Sequence, residues 1–317
     1  MSMTNKVLHR SFRPCRDYII GLFPLYAMSF WLYGPRVLFL ALTAIVTSFV
    51  CDIISAVLKG ERPDLSDISS YMFALIFTAM LPASCRYEIV AITTAFIVFF
   101  AKNVFGGYGN YPFNPSAFGF ALATVCWGNE LFMYPRAFSV IGTGWDPGAE
   151  VVEGVAKSLH NGGLPSIDST DLLLGNFPGP LGATYGLIIL ASLVLFVMHG
   201  NITFHIPVSF LLTCGVWAVL LPRVQTGIRD SLLYEMFSGA VIFASVYLVS
   251  QPDTSPKNNL AKILYGILLG LGSMAYHTYG RYEVGVCFAV LLLSPLSPYF
   301  DRICSKELKF KWKGTAV

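Results

Sequence analysis

Long apolar runs alternate with short polar segments along the whole chain. Runs of this length predict helices that cross a hydrocarbon core of about 30 Å. Several runs are shorter than a full span, which predicts tilted, broken or re-entrant helices. Hydropathy places about ten spans along the chain. They lie near residues 18–34, 36–55, 69–84, 87–104, 115–129, 184–199, 206–222, 235–250, 259–276 and 283–299.

This pattern predicts an all-α, polytopic membrane protein that forms one integral membrane domain over residues 1–317. A first helical half covers 1–130 and a second covers 184–317, with a polar loop at 131–183 between them. An odd number of spans in each half gives the two halves opposite orientations. That is the inverted-repeat plan of many transporters, which place their functional centre between the halves.

Short sequence similarities support two inverted five-helix repeats. Met-Phe precedes an apolar run at residues 72–73 and again at residues 236–237. Tyr-Gly-Asn-Tyr opens a later run at 108–111, and Tyr-Gly-Arg-Tyr opens the corresponding run at 279–282. The repeat is short and weak, so it indicates the plan without defining its boundaries.

Composition excludes an ordinary soluble domain, because 55% of the residues are hydrophobic, only 12% are charged, and mean hydropathy is +0.63. The seven cysteines form no CxxC pair and no Cys/His metal spacing, so most are expected to pack helices. No metal centre built by this chain alone is predicted. Nothing in the net charge of +3 indicates a nucleic-acid partner; the expected surrounding is the lipid bilayer.

The distribution of charge predicts the orientation in the membrane. Lys and Arg concentrate in 1–17, 56–68, 251–258 and 300–317, whereas residues 130–183 contain six acidic and two basic side chains. By the positive-inside rule, both termini lie in the cytoplasm and the loop is extracytoplasmic. The expected location is the inner (cytoplasmic) membrane. If one short span does not cross, every later segment is inverted.

Two irregular segments interrupt the apolar pattern at membrane depth. The first is VFGGYGNYPFNPSAFGFA at 104–121, and the second is SQPDTSPKNN at 250–259. Gly and Pro break helices, and polar side chains such as Asn114 and Asp253 can satisfy the freed backbone groups or bind a cation. We expect these two residues to lie near each other between the halves, on a candidate ion path. The alternative is a pair of ordinary interhelical turns.

Four motifs in order resemble one family of membrane proteins. FGGYGNYPFNPSAFG, LVSQPDTSP followed by YGILLG, and TYGRYEVGVCFAVLLLSPLSPYFDR resemble segments of the D subunit of the Rnf electron-transport complex. The B subunit of sodium-translocating NADH:quinone reductase has similar segments. GNFPGPLGATYGL, residues 175–187, corresponds to the loop-to-helix position that carries the covalent flavin of this family. Chain length favours the Rnf D subunit.

The resemblance implies a membrane subunit of an ion-translocating ferredoxin:NAD oxidoreductase that carries covalent FMN as an electron relay and helps form the ion path. Its implied partners are the other Rnf subunits, including iron–sulfur and flavin subunits, and a flavin transferase for maturation. The chain has no Gly-rich dinucleotide fingerprint and no cysteine cluster for iron–sulfur centres. Relatives also hold riboflavin without a covalent bond, which the sequence of this chain does not reveal.

Thr184 is the predicted attachment residue, through a phosphoester. It lies at the predicted start of a membrane helix, where backbone N–H groups and the helix dipole favour a phosphate. Gly182 and Ala183 leave room for a bulky group. The alternative is a helix cap on a small-residue packing face. One departure from the family pattern is Leu181, which stands where relatives usually have Ser or Thr.

Two other functions stay open at this point: the quinone-reductase subunit, and a stand-alone transporter of the urea-channel type, which the broken helices also fit. Asp52, Lys102, Asp253 and Glu283 lie at or near span ends. Ionisable residues there are candidates for an ion path, or else they cap helix ends and snorkel to the interface. The sequence does not distinguish sodium from protons.

Overall fold

The computed structural model describes residues 12–61, 64, 66–145, 148–160, 163, 167–223, 227–280 and 282–314. Within these residues the first half shows five helices, of which the fourth continues as a π-helix, Ile97–Lys102, and a 3-10 turn, Asn103–Phe105. These helices are α1 Arg13–Tyr33, α2 Arg36–Lys59, α3 Ser69–Ala79, α4 Tyr87–Phe96 and α5 Pro115–Leu131.

The connecting loop is partly ordered and carries the only strands found among the described residues. Strands β1, Met133–Pro135, and β2, Val151–Glu153, pair antiparallel, with Met133 opposite Glu153. Helices α6, Val155–His160, and α7, Ser169–Leu174, follow. The fold is therefore mostly helical, as predicted, with one small two-stranded sheet in which two extended segments of the polar loop satisfy their backbone groups by pairing.

The described part of the second half contains seven helices, and a 3-10 turn, Ser294–Leu296, joins the last two of them. They are α8 Gly186–Met198, α9 His205–Leu220, α10 Ile228–Phe237, α11 Val241–Tyr247, α12 Asn259–Tyr279, α13 Val286–Leu293, and then α14 Ser297–Gly314 beyond the turn.

Four helical segments are long and apolar enough to cross a membrane: Arg36–Lys59, Tyr87–Phe105, Asn259–Tyr279 and Val286–Ser305. Three shorter apolar helices, α3, α8 and α9, accompany them. These helices and the composition make the chain a polytopic membrane protein. The outward-facing side chains of the long helices are apolar, as a lipid-facing surface requires; Leu58 in α2 is 78% exposed.

Helices α3 and α11 are short, and the other helices enclose them. All seven residues of α11 are buried, and of α3 only Tyr71 is not. A helix that is apolar on every side belongs in such an interior position. The predicted span at 235–250 is wrong as one helix, because a turn at residues 238–240 separates α10 from α11. Gly239 and Ala240 adopt φ of 61° and 59° there.

The two halves meet along α1, α8 and α11. α1 contacts α3 of its own half and α8 of the other half, and α8 contacts α11. The interface is aromatic: Tyr18 stacks on Phe196 with ring centroids 4.7 Å apart, and Tyr247 meets both rings edge-on. This packed interface holds the ends of α3 and α11 next to the loops that carry the candidate site.

Candidate functional site

The loop before α8 is fixed to the end of α3. The Gly182 amide donates to Ala79 O at 2.7 Å, and the Leu181 amide donates to Leu81 O at 2.9 Å. The Ser29 hydroxyl donates to Leu181 O. A Cβ on Gly182 would lie 2.9 Å from Ala79 Cβ, so a larger residue would push the loop away. The loop before the second half is therefore held by helices of the first half.

Thr184 is buried and is not a helix cap. Helix α8 begins at Gly186, and its N-cap position, Tyr185, makes no side-chain capping bond. The Thr184 side chain interacts with the Tyr185 hydroxyl, yet Oγ1 forms no hydrogen bond of good geometry and the residue is only 2% exposed. The capping alternative therefore has no support in the structure, and a buried hydroxyl is left unsatisfied.

A small cavity adjoins Thr184, and several buried polar groups around it lack partners. Its volume is about 10 Å³, enough for one water molecule. Thr184 Oγ1, Ser238 Oγ and Glu283 Oε1 all belong to residues that line this cavity, and none of the three atoms forms a hydrogen bond. We call it the Thr184 cavity. It is lined by residues 134, 154–156, 177–180, 183, 184, 237–240 and 283.

A second, larger cavity of about 510 Å³ shares Ala156 and Glu283 with the Thr184 cavity. Aromatic rings form part of its wall: Phe132 and Tyr282 have centroids 6.2 Å apart. Its volume lies in the range of small-molecule and cofactor sites. We call it the large cavity. It is lined by residues 128, 129, 132, 133, 156, 157, 223, 277, 280, 282 and 283.

A buried ion pair borders the large cavity. Arg223 binds both carboxylate oxygens of Glu235 at 2.6 Å, and both side chains are at least 93% buried. His277 Nε2 lies 3.8 Å from the same carboxylate. Lys157, also on the cavity wall, pairs with Glu153 at 2.8 Å. Arg223 and Lys157 are thus already matched with carboxylates, which fixes their positions.

The two broken segments meet between the halves. Asn114 Nδ2 donates to Leu248 O at 3.0 Å and to Gln251 Oε1 at 2.9 Å. Asn114 Oδ1 accepts from the amides of residues 116 and 117 and so caps α5. The Tyr111 hydroxyl donates to Asp253 Oδ2 at 2.9 Å. We call this contact the broken-segment junction.

Helix α5 begins inside the first predicted broken segment, because Asn114 and Pro115 form a strong helix start.

The other ionisable candidates form a network next to α3. Lys102 is 1% exposed; its ammonium lies 2.7 Å from Asp67, 3.6 Å from Asp52 and 2.6 Å from the Ser70 hydroxyl. A lysine that snorkels would reach solvent, so Lys102 belongs to a buried salt bridge instead. Lys102 ends the π-helical segment of the fourth helix. Among the described residues, no group of His, Cys, Asp or Glu has the arrangement of a metal site.

The sequence indicated some residues of this site and not others. Thr184, Ala183 and Glu283 line one cavity, and Gly182 adjoins them in the chain. Ser238 and the buried pair of Arg223 with Glu235 were not predicted. A signal for Ser238 existed in the glycine that follows it, which interrupts an apolar run where a turn is expected. No sequence pattern predicted the ion pair, because it depends on how α10 folds back after α9.

Comparison with known proteins identifies the family. The family model described as NQR2, RnfD, RnfE matches residues 9–309. Proteins named as the D subunit of an ion-translocating oxidoreductase complex are similar over most of their length. One from Pseudomonas paraeruginosa is 26% identical over 86% of this chain and 83% of its own, and one from Alcanivorax borkumensis is 24% identical over 90% and 89%. One from Salmonella paratyphi A is 26% identical over 90% of this chain and 91% of its own. The resemblance carried by the four motifs is confirmed, and the chain belongs to the NQR2, RnfD, RnfE family.

Proposed function

We propose that this chain is the membrane subunit of an ion-translocating ferredoxin:NAD oxidoreductase and that it carries FMN on Thr184 as an electron relay. Three relatives that cover most of the chain are named as a subunit of an ion-translocating oxidoreductase complex. The observation that supports the site is the buried, unsatisfied Thr184 hydroxyl at a loop fixed to α3. When bound, FMN would supply the electron-carrying chemistry that no side chain here provides.

The residues around Thr184 suit a phosphate ester chemically. Ser238 offers an unpaired hydroxyl to the same cavity, and Gly179 and Gly239 keep side chains out of it. A Cβ on Gly179 would lie 2.5 Å from Thr184 Cγ2. The volume of about 10 Å³ holds one water, not a phosphoryl group. The flavin-bearing form therefore requires the glycine-containing segments 177–180 or 237–240 to move outward.

The large cavity is the best place for the flavin ring. It shares two lining residues with the Thr184 cavity, and its volume of about 510 Å³ suits a cofactor. Phe132 and Tyr282 provide aromatic surface for a planar ring. Arg223 and Lys157 on the wall are paired with Glu235 and Glu153, so they add polar groups in fixed positions. In this arrangement the chain orients the ring and limits its contact with water.

Leu181, the departure from the family pattern, does not obstruct this proposal. Its side chain is completely buried, and both its amide and its carbonyl are hydrogen-bonded to other parts of the protein. Leu181 therefore anchors the loop. The attachment residue lies three positions further on.

We assign the ferredoxin and NAD chemistry to other subunits. The sequence has no dinucleotide fingerprint, and its seven cysteines are dispersed free thiols. Iron–sulfur and flavin subunits would therefore be partners, and a flavin transferase would act during maturation. Noncovalent riboflavin in this chain stays a prediction from the family resemblance.

An ion path between the two halves is part of the proposal. Helix contacts repeat between the halves: α2 packs on α4 as α9 packs on α12, and α3 packs on α5 as α11 packs on α13. This supports the predicted inverted repeat, in which the broken-segment junction with Asn114 and Asp253 lies at the centre. The buried network of Lys102, Asp67 and Asp52 adjoins α3 and adds charge near this path.

The flavin assignment is tested by in-gel fluorescence after production with a flavin transferase. Wild-type protein should fluoresce on a denaturing gel, and Thr184→Val should not, since it keeps the shape and removes the hydroxyl. Thr170→Val is the matched control, because Thr170 is exposed on the same connecting loop. Equal fluorescence of Thr184→Val and wild type would refute attachment at Thr184.

The orientation is tested by labelling with an impermeant thiol reagent in whole cells. A cysteine near Asn161, which lies outside the described residues, or at Val140, which is 80% exposed, should react if the loop is extracytoplasmic. A cysteine at Glu61 should react only after lysis. The reverse labelling pattern would show that the chain has the opposite orientation in the membrane.

The second candidate is the quinone-reductase subunit, because the matching family includes NQR2. Membrane vesicles distinguish the two. Reduced ferredoxin should drive NAD reduction and ion uptake if the proposal holds, whereas NADH-driven quinone reduction alone would favour the alternative. A stand-alone urea-type channel would carry no covalent flavin.

A further inference from the structure

Glu283 occupies a special position, since it lines both the Thr184 cavity and the large cavity. It lies in the turn between α12 and α13, outside the long apolar helices. Its Oε1 is buried and forms no hydrogen bond, and its Oε2 accepts only a long bond of 3.4 Å from the Tyr134 hydroxyl. An ionised carboxylate in such a position is poorly solvated.

The two cations near Glu283 each form a salt bridge with another carboxylate. Arg223 pairs with Glu235 through two bonds of 2.6 Å, and Lys157 pairs with Glu153 at 2.8 Å. Among the described residues, Glu283 takes part in no salt bridge within 4.0 Å. The titratable groups that face it from the surrounding elements are Tyr134, Glu153, Lys157, Arg223, Glu235 and His277.

We propose that Glu283 is a proton-binding residue that is neutral at pH 7 and donates its O–H into the Thr184 cavity. The cavity has room for about one water molecule, and the unpaired hydroxyl of Ser238 lines it as well. A neutral carboxyl and this hydroxyl can both bond that water, whereas an ionised carboxylate would be poorly solvated there. This role of Glu283 does not depend on flavin attachment to Thr184.

The direction of titration agrees with this geometry. Burial raises the pKa of Glu283 to about 8, against the lowering influence of Lys157 and of the Tyr134 hydroxyl. The charge of Glu153 acts in the raising direction.

The test is carbodiimide labelling of wild-type protein, since a membrane-permeant carbodiimide such as dicyclohexylcarbodiimide reacts with protonated carboxyls in apolar surroundings. The full chain is produced without flavin transferase, so the result does not depend on flavin attachment. Labelling of the Glu283 peptide, measured by mass spectrometry, should fall by about thirtyfold between pH 6.5 and pH 9.5 for one group with a pKa of about 8.

Glu235 is the internal control. Its side chain is buried and lies beside the same large cavity, but it is paired with Arg223 and should stay unlabelled at both pH values. Labelling of Glu283 that does not change with pH, or its absence at pH 6.5, would overturn the proposal. So would labelling of Glu235 to the same extent.

Infrared difference spectroscopy gives a second readout that needs no reagent. The band of a protonated carboxyl should disappear as the pH rises from 6.5 to 9.5, and Glu283→Gln should remove this change. Persistence of the full band change in Glu283→Gln would assign the proton to another residue and contradict the proposal. Failure of flavin attachment to Thr184, with both readouts as expected, would refute only the proposed function.

Discussion

The contact of Asn114 with Gln251 in the broken-segment junction and the Thr184 cavity are both buried, but they differ in how their polar groups are satisfied. Asn114 uses its oxygen for two backbone amides and its nitrogen for two further acceptors, so its hydrogen-bonding capacity is complete. In the Thr184 cavity, Thr184, Ser238 and Glu283 each leave an oxygen unpaired. The junction thus joins two segments through satisfied hydrogen bonds, whereas the Thr184 cavity leaves three oxygens without a protein partner.

One polar group at the junction is not satisfied: Gln251 Nε2 is buried and lacks a hydrogen-bond partner. Asp253 accepts from Tyr111 through one carboxylate oxygen, which leaves capacity for another ligand. Any cation bound at the junction would therefore contact Asp253 before Asn114. Both residues stay predictions for the ion path, and Asp253 is the one with free acceptor capacity.

The largest effect on stability should come from Asn114→Ala. It removes a helix cap and leaves Leu248 O and Gln251 without a partner, which should destabilise the protein by about 2–4 kcal/mol. Ser238→Ala should not destabilise the protein, because its buried hydroxyl has no protein hydrogen bond to lose. Thermal unfolding of the detergent-solubilised variants measures both. Similar losses of stability in the two variants would contradict the proposed difference between the two sites.

Asp253→Ala should separate the two sites functionally. Ion uptake driven by reduced ferredoxin, or assembly of the complex, should fall severalfold, because the variant removes the carboxylate at the junction. Flavin attachment should stay near wild type, since the loop that carries Thr184 is held by contacts with α3 that do not involve Asp253. Tyr111→Phe is the matched control for loss of the hydrogen bond alone. Full ion uptake by Asp253→Ala would reduce Asp253 to a turn residue.

A third effect concerns the pH dependence of stability at Glu283. Its folded-state pKa is raised to about 8, so its contribution to stability is fully present below its ordinary pKa and is lost as pH rises through 8. Glu283→Gln should therefore unfold at the same temperature as wild type, or slightly below, near pH 5 and at a higher temperature near pH 9. A difference that is independent of pH would contradict a neutral Glu283.

Much of this architecture could be predicted from the sequence, because apolar length and helix-start residues act locally. The long spans near α2 and α12 follow directly from apolar length, and Asn114 with Pro115 marks a helix start. The break between α10 and α11 was missed, since hydropathy averages over the turn at Gly239. The small sheet was missed because its strands are separated in the chain by the residues between Pro135 and Val151, within a polar loop.

The candidate site was predicted only in part. Thr184 was found from its motif, but its burial and the absence of a capping role depend on how α3 ends and on where α8 begins. The surrounding residues Ser238, Tyr134 and Arg223 come from three distant parts of the chain. No local sequence pattern encodes such contacts, so only the folded structure brings these residues to the cavities beside Thr184.

The most direct measurement is peptide mass spectrometry of the protein produced with its flavin transferase. If the Thr184 cavity is a cofactor site, the peptide that contains Thr184 should carry the added mass of FMN, with fragment ions that place it on that residue. The peptide from Thr184→Val should be unmodified, and that from Ser238→Ala should carry FMN. An unmodified Thr184 in wild-type protein, under conditions where a known substrate of the transferase is modified, would contradict the account.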